Sequence, residues 1–233
     1  MDTLWLHIVQ WLHTLGLHVD GGTARAVGDA AASATAQLDM PSLLALAAAL
    51  GWASGFRLYA VVFLVGMMGV LGWMPLPPGL AVLQNPLVLG ASGLMVAVEF
   101  FADKIPGVDS AWDLLQTLAR VPAGAFLAAA TLSPDGQLSS GALAAGAGIA
   151  LASHGLKSGT RALLNTSPEP ASNWVASTAE DGVVIAGLAL AIAHPWIALV
   201  VVLGASVLGA LLVWWTWRAL SRGLRRLFAP PAA

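Results

Sequence analysis

The feature that most constrains this chain is a long apolar run, from Pro41 to Trp73, that contains a single charged residue, Arg57. On insertion scales an arginine at the middle of a bilayer costs about 2.5–3.5 kcal/mol, so the chain must offset that cost with an ion-pair partner, water or a ligand. The run is too long for one straight crossing, and Ser54-Gly55 weakens a helix just before Arg57. The sequence therefore predicts a bent membrane helix in which Arg57 is either an ion-pair brace or part of a site.

The composition extends this prediction to the whole chain. Of the 233 residues, 58% are hydrophobic and only 9% are charged, which is too few to cover a soluble surface. The fold class expected is all-α, a polytopic helical membrane protein whose first partner is the lipid bilayer. The absence of cysteine excludes disulfides and thiolate metal sites, and no basic groove interleaved with aromatic residues indicates nucleic acid.

Apolar length and helix-breaking residues divide the chain into segments. Six spans are predicted, at roughly 41–73, 82–102, 114–132, 139–165, 180–195 and 197–219. They form a transmembrane bundle over residues 41–220. Before it, residues 1–40 read as an interfacial amphipathic helix and a linker, because Leu4, Ile8 and Trp11 follow helical spacing. After it, residues 221–233 form a basic tail.

The arginines at the end of the chain predict its orientation. Arg218, Arg222, Arg225 and Arg226 follow the last span, whereas the turns at 74–81, 133–138 and 193–197 carry no lysine or arginine. Positively charged flanks stay in the cytoplasm. With six spans, both termini are expected on the cytoplasmic side of a bacterial inner membrane.

A short pattern occurs twice and suggests a duplication. Ser54-Gly55-Phe56-Arg57 is matched by Ser158-Gly159-Thr160-Arg161, the first on an outward-running span and the second on an inward-running one. The expected architecture is an inverted repeat of three plus three helices, residues 41–133 and 139–220, with broken helices meeting near the bilayer midplane, as in many transporters. Chance is the alternative, because four-residue matches are weak in a chain rich in Ala, Gly and Ser.

Carboxylates form the second group of candidate residues. Glu99 and Asp103 stand four apart and share one helix face, and Asp109 and Asp113 repeat that spacing after the break that follows Lys104. Glu180 and Asp181 are expected to begin the fifth span, with Ser177 as its N-cap in a Ser-x-x-Glu box.

Four blocks of this sequence carry a family resemblance. They are Glu99-Phe100-Phe101-Ala102-Asp103-Lys104-Ile105-Pro106-Gly107-Val108-Asp109, then Arg120-Val121-Pro122-Ala123-Gly124, then Lys157-x-x-x-Arg161, and last Ser177-Thr178-Ala179-Glu180-Asp181. Together they resemble an uncharacterised bacterial integral-membrane family, a domain-of-unknown-function family, over about residues 41 to 215. The resemblance implies a helical protein of the bacterial inner membrane, and it brings neither a substrate nor an activity.

Three interpretations of the charged residues remain open. The first is a transporter or channel for a small ion or an anionic or lipid-phosphate solute, in which Arg57 and Arg161 lie near helix breaks and nearby carboxylates serve a coupled ion. The second is a scaffold that transports nothing, in which the charges are structural ion pairs. The third is an intramembrane lipid enzyme in which Glu99, Asp103, Asp109 and Asp113 bind a divalent cation.

The candidate residues for binding a substrate or an ion belong to the first interpretation; in the second, Arg57 and Arg161 pair across the repeat interface with Glu180/Asp181 and Glu99/Asp103. The main set is Arg57, Arg161, Lys157, Glu99, Asp103, Lys104, Glu180 and Asp181, and the secondary set is Asp109, Asp113, Arg120, His154, Ser54 and Ser158. His154 is either a neutral core histidine or a proton relay. No motif for a catalytic nucleophile, zinc or nucleotide is present, so no catalytic residue and no cofactor is expected.

Small residues predict close helix packing. Gly141, Ala145 and Gly148 lie at three- and four-residue spacing on one face of the fourth span. That face is expected to contact another helix, either within the chain or in a homo-oligomer.

Overall fold

The computed structural model describes residues 39–74, 76–105, 107–133, 137–164 and 170–227. The predicted N-terminal interfacial helix lies outside these residues. The described part of the chain forms six α-helices and one 3-10 helix, with no strand among them. They are α1 (Met40–Val70), the 3-10 helix (Pro78–Gln84), α2 (Pro86–Ala102), α3 (Val108–Thr131), α4 (Ser140–Leu164), α5 (Pro170–Ala193) and α6 (Pro195–Leu227).

The helix starts follow from local sequence. The Asp39 carboxylate accepts hydrogen bonds from the backbone N–H and the hydroxyl of Ser42, at 3.0 and 2.7 Å, and so caps α1. These bonds, that of the hydroxyl first, hold the pKa of Asp39 below its ordinary value. Asn85 caps α2 in the same way by accepting from the Leu87 N–H at 2.8 Å.

Four helices are long and apolar enough to cross a membrane: α1, α3, α5 and α6. The 3-10 helix and α2 meet at a bend of 68° and together make a possible fifth span. The predicted fold class, an all-α protein with membrane-spanning helices, is therefore confirmed.

The first helix occupies the centre of the bundle, where it contacts each of the other five α-helices. It is broken at Arg57, whose backbone angles (φ −143°, ψ 67°) are not helical. The predicted bend is thus present, three residues after Ser54. The predicted break in the second copy of the motif is wrong, because Ser158 and Gly159 lie inside α4, which is helical throughout.

The predicted start of the fifth span and its predicted N-cap are both corrected by the bounds of α5. The fifth span is predicted over 180–195, but α5 begins at Pro170, ten residues before that start. Ser177 therefore lies in the interior of α5 and cannot be its N-cap. In addition α6 continues to Leu227 and includes the first residues of the predicted basic tail.

Close packing between α3 and α4 depends on glycine, but not on the predicted face. A Cβ on Gly146 would stand 2.6 Å from Ala128 Cβ and 2.8 Å from the Gly124 carbonyl oxygen. By contrast a Cβ on Gly148 would have no neighbour within 4 Å, and one on Gly141 would meet only Ser139. The tightly packed face of α4 is therefore the one that carries Gly146.

Candidate functional site

The central feature of the structure is a group of ionisable side chains from five helices and one loop, here called the buried charge cluster. It comprises five cations and six carboxylates: Arg57, Lys104, Arg120, Lys157, Arg161, Glu99, Asp103, Asp109, Asp113, Glu180 and Asp181. All of them are buried except Asp181, whose side chain is 41% exposed. With one carboxylate more than cations, the cluster carries an excess of one negative charge when every member is ionised.

Arg57 joins α1 to α2 and α5. Its guanidinium pairs with Asp103, and its Nη2 donates to the carbonyl and hydroxyl oxygens of Ser177 at 2.9 and 2.7 Å. Its Nε lies 2.8 Å from Asp181 Oδ1. The arginine at the helix break is therefore surrounded by acceptors supplied by two neighbouring helices.

The backbone break at Arg57 is compensated by side chains of α4. A break in a helix leaves nearby carbonyls without their usual donors, which is costly in a membrane. Here Lys157 Nζ donates to the Phe56 carbonyl oxygen at 3.2 Å, and His154 Nδ1 lies 3.3 Å from the Gly55 carbonyl oxygen. Two residues of α4, three apart in sequence, thus stabilise the broken segment of α1.

Arg120 is completely buried and holds two carboxylates. Its Nη2 donates to Glu99 Oε1 at 2.5 Å, and its Nη1 donates to Asp113 Oδ1 at 2.7 Å. Its Nη1 also lies 3.2 Å from His154 Nδ1. This residue, only a secondary candidate in the sequence, connects α2, α3 and α4.

Lys157 lies among three carboxylates. Its Nζ is 3.2 Å from Asp103 Oδ2, 3.2 Å from Asp113 Oδ1 and 3.5 Å from Glu180 Oε2. An ammonium group with no exposed surface has to be matched in this way, because an isolated buried charge is costly. Lys157 therefore belongs to the interior of the cluster.

Arg161 forms a two-pronged pair with Glu180, with Nε and Nη2 at 2.9 and 3.0 Å from the two carboxylate oxygens. Its Nη1 donates to the Asp103 carbonyl oxygen at 3.0 Å and to Asn173 Oδ1 at 3.2 Å. The same Nη1 lies 3.9 Å from Asp109 Oδ2.

Asn173 is a member of the site that sequence analysis missed. It is fully buried, and it precedes Ser177 by four residues and Glu180 by seven on α5. That spacing places the three side chains on one helix face. The spacing could have revealed Asn173 if the fifth helix had been started at Pro170.

Lys104 lies at the edge of the cluster, in the loop after α2. Its Nζ is 3.1 Å from the centre of the Phe100 ring and 4.8 Å from that of Trp174, so two aromatic faces hold the ammonium group. Burial, with a smaller contribution from the nearby Arg57, lowers the pKa of Lys104 below its ordinary value.

Two cavities reach the cluster from different sides. The first has a volume of about 350 Å³, lies between α1, α2 and α5, and includes Arg57, Glu99 and Asp181 in its lining. The second has a volume of about 430 Å³, lies between α3, α4 and α6, and includes Asp113 and His154. No helix lines both, but Arg120 bonds Glu99 of the first cavity and Asp113 of the second.

The two predicted serines have different positions. Ser54 donates to the Gly51 carbonyl oxygen at 2.7 Å within α1, so its hydroxyl is used inside its own helix and not on a cluster carboxylate. Ser158 lines the second cavity, and its Oγ lies 3.4 Å from His154 Nε2. His154 Nε2 is also 2.7 Å from Thr117 Oγ1, so the imidazole has hydroxyl partners on the side of this cavity.

The carboxylates of the cluster are not arranged as metal ligands. Among the described residues, no three His, Asp or Glu side chains group in a way that could hold a metal ion. Two carboxylate oxygens nevertheless lack a hydrogen-bond donor in the part of the chain that the structure describes: Asp103 Oδ1 and Asp113 Oδ2. Buried acceptors of this kind can take a proton or face a bound cation.

The whole cluster lies inside the part of the chain that one family profile matches. The profile of a domain of unknown function, DUF4126, matches residues 44–218 and so contains every member of the cluster. The chain belongs to the DUF4126 family. The resemblance seen in the sequence is thereby confirmed, and DUF4126 membership brings no activity with it. No curated protein and no solved structure shows significant similarity to the chain.

Proposed function

We propose that this DUF4126 protein is a membrane transporter or channel that moves a small cation, of which the proton is the simplest, through the buried charge cluster. The observation that carries the proposal is that the cluster joins two cavities with no helix in common. Ionisable groups placed inside membrane helices commonly mark ion and proton pathways.

The balance of charge favours a cation over an anion. The guanidinium groups of Arg57 and Arg161 are already bonded to carboxylates and to oxygens of α5, so an incoming anion would have to displace those partners. The extra carboxylate and the donor-free oxygens of Asp103 and Asp113 instead offer sites for positive charge.

The contacts suggest a role for each part of the path. Asp181 and Glu99 face the first cavity, and Asp113 and His154 face the second. Arg120 stays protonated and keeps Glu99 and Asp113 close to one another. Proton movement would then take place between carboxylates, with His154 and its hydroxyl partner Thr117 on the far side.

The proposal includes a topology in which all six α-helices cross a bacterial inner membrane with both termini in the cytoplasm. The ionisable side chains of α4, those of His154, Lys157 and Arg161, are all buried, so its modest apolarity is compatible with a span. An inverted repeat is supported by the convergence of Arg57 and Arg161 on the same carboxylates, Asp103 and Glu180. The unbroken course of α4 means that the two halves differ in detail.

A structural scaffold is the second candidate. The observation in its favour is that Arg57, Arg120, Lys157 and Arg161 each lie within 4.0 Å of at least one carboxylate, as an ion-pair brace requires. A scaffold predicts that the protein carries no ions across the membrane, whereas a transporter or channel predicts a measurable ion flux.

The first experiment is therefore proton flux in proteoliposomes. Vesicles that enclose a pH-sensitive dye receive a potassium diffusion potential, and the rate of internal acidification is compared with that of protein-free vesicles. We expect a faster rate with the protein, unchanged in the control variant Asp39→Asn, whose carboxylate caps α1 outside the cluster. A rate equal to that of protein-free vesicles, with sodium and potassium flux also absent, would support the scaffold.

A further inference from the structure

The first cavity has a composition that a simple ion path does not need. Its volume is about 350 Å³, which lies within the range of pockets for small organic ligands. Apart from the charged residues at one end, its lining is aliphatic or aromatic and includes Ala60, Phe63, Leu64, Val96, Val184 and Ile185. A hydrated metal ion or a proton would make no use of these walls, whereas a ligand with hydrocarbon surface would bury them.

The charged end of this cavity selects for positive charge. Among the described residues that line the cavity, Arg57 is the one cation, and its donors are directed to Asp103, Ser177 and Asp181. Asp181 is the one member of the cluster with a substantially exposed side chain. Because the cluster as a whole has one carboxylate in excess, a cation in the cavity would neutralise it.

Aromatic rings at the cavity add a second means of holding a cation. Phe100 lines the cavity, but one face of its ring already holds the ammonium nitrogen of Lys104 at 3.1 Å. Phe63 lies in the same lining, on α1. Aromatic faces together with a carboxylate are the usual features of sites for quaternary and protonated amines.

We propose that the first cavity binds a lipophilic cation, a compound in which a quaternary or protonated nitrogen, or another onium centre, is joined to hydrocarbon. The inference deepens the proposed function, because it names the substrate class at Asp181, where such a cation and a transported proton would compete. Binding of the lipophilic cation can be measured without ion flux, so the two proposals can be tested separately.

The test uses a pair of ions that share one shape and differ in sign. Binding of tetraphenylphosphonium and of tetraphenylborate is measured by equilibrium dialysis with the full chain in lipid nanodiscs, with protein-free nanodiscs subtracted. We expect saturable binding of tetraphenylphosphonium at about one per chain and no saturable binding of tetraphenylborate. Asp181→Asn should weaken tetraphenylphosphonium binding by roughly tenfold or more, while Asp39→Asn should leave it unchanged.

A second variant keeps the test decisive if Asp181→Asn affects folding. Ala60→Phe introduces a ring into the cavity from α1, and it should abolish saturable binding of tetraphenylphosphonium by occupying the space. Saturable binding of tetraphenylborate, or tetraphenylphosphonium binding that survives both variants, would overturn the inference. Binding without flux of protons, sodium or potassium would support the site and reject the proposed function. Flux without binding would support the proposed function and reject the site.

Discussion

Replacing Arg120 by methionine is expected to lower the free energy of unfolding by about 3–5 kcal/mol, the cost of removing one partner from a buried ion pair. Arg120 has no exposed surface, and its loss would leave Glu99 and Asp113 close together without the cation that bonds both. The measurement is reversible unfolding of the purified protein in mixed micelles, followed by the signal of its tryptophans.

Two further variants test whether the lost stability of Arg120→Met comes from carboxylates that are left unpaired. Arg218→Met, in the last part of α6, removes a cation that lies 5.2 Å from the centre of the Trp214 ring and outside the cluster, so its unfolding should stay close to wild type. Adding Glu99→Gln and Asp113→Asn to Arg120→Met should recover part of the lost stability, because the unpaired charges are removed too. Wild-type stability of Arg120→Met alone would show that the cluster is not held together as described.

The substitution Gly55→Ala is expected to separate α1 from α4. A Cβ at this position would lie 1.9 Å from Ser153 Oγ, 2.5 Å from the Ala150 carbonyl oxygen and 2.8 Å from the His154 backbone nitrogen. Two of these atoms belong to the backbone, so a change of side-chain rotamer cannot relieve the clash. Overpacking of this kind costs about 1–3 kcal/mol or more, and here it would also pull His154 from the carbonyl beside the helix break.

The matched control for Gly55→Ala is Gly204→Ala on α6, where an added Cβ has no neighbour within 4 Å. This control should unfold like wild type or somewhat later, because alanine stabilises a helix relative to glycine by about 0.5–1 kcal/mol. Unfolding curves for both variants are measured in the same micelles. If they coincide, the close contact of α1 with α4 is not present in the membrane protein.

Much of this architecture could be predicted from the sequence because a bilayer imposes simple rules. Apolar length and helix-breaking residues placed a predicted span over part of each of the six described α-helices, four of which are long and apolar enough to cross a membrane. The charge in an apolar run singled out Arg57. What failed were predictions that depend on tertiary partners. Ser177 matched a capping box, yet α5 starts at Pro170 and uses that serine as an acceptor for Arg57.

The site was only partly predictable for the same reason. Spacing along one helix indicated that Glu99 and Asp103 share a face, but no local pattern shows that Arg120 bonds both Glu99 and Asp113. The repeated Ser-Gly-x-Arg motif predicted two helix breaks. The first break is present, at Arg57, but the second is not, since α4 is helical throughout the copy of the motif that it carries. That helix instead supplies His154 and Lys157 to the carbonyls at the break in α1.

The most direct test of the central claim is to measure proton flux and unfolding on one variant, Asp181→Asn. Its side chain is half exposed in the first cavity, and without its charge Arg57 still keeps Asp103 and Ser177 as partners. If the cluster is an ion path, flux should fall about tenfold or more while the free energy of unfolding stays within about 0.5 kcal/mol of wild type. Unchanged flux in a well-folded variant, or a loss of stability typical of a broken brace, would contradict the account.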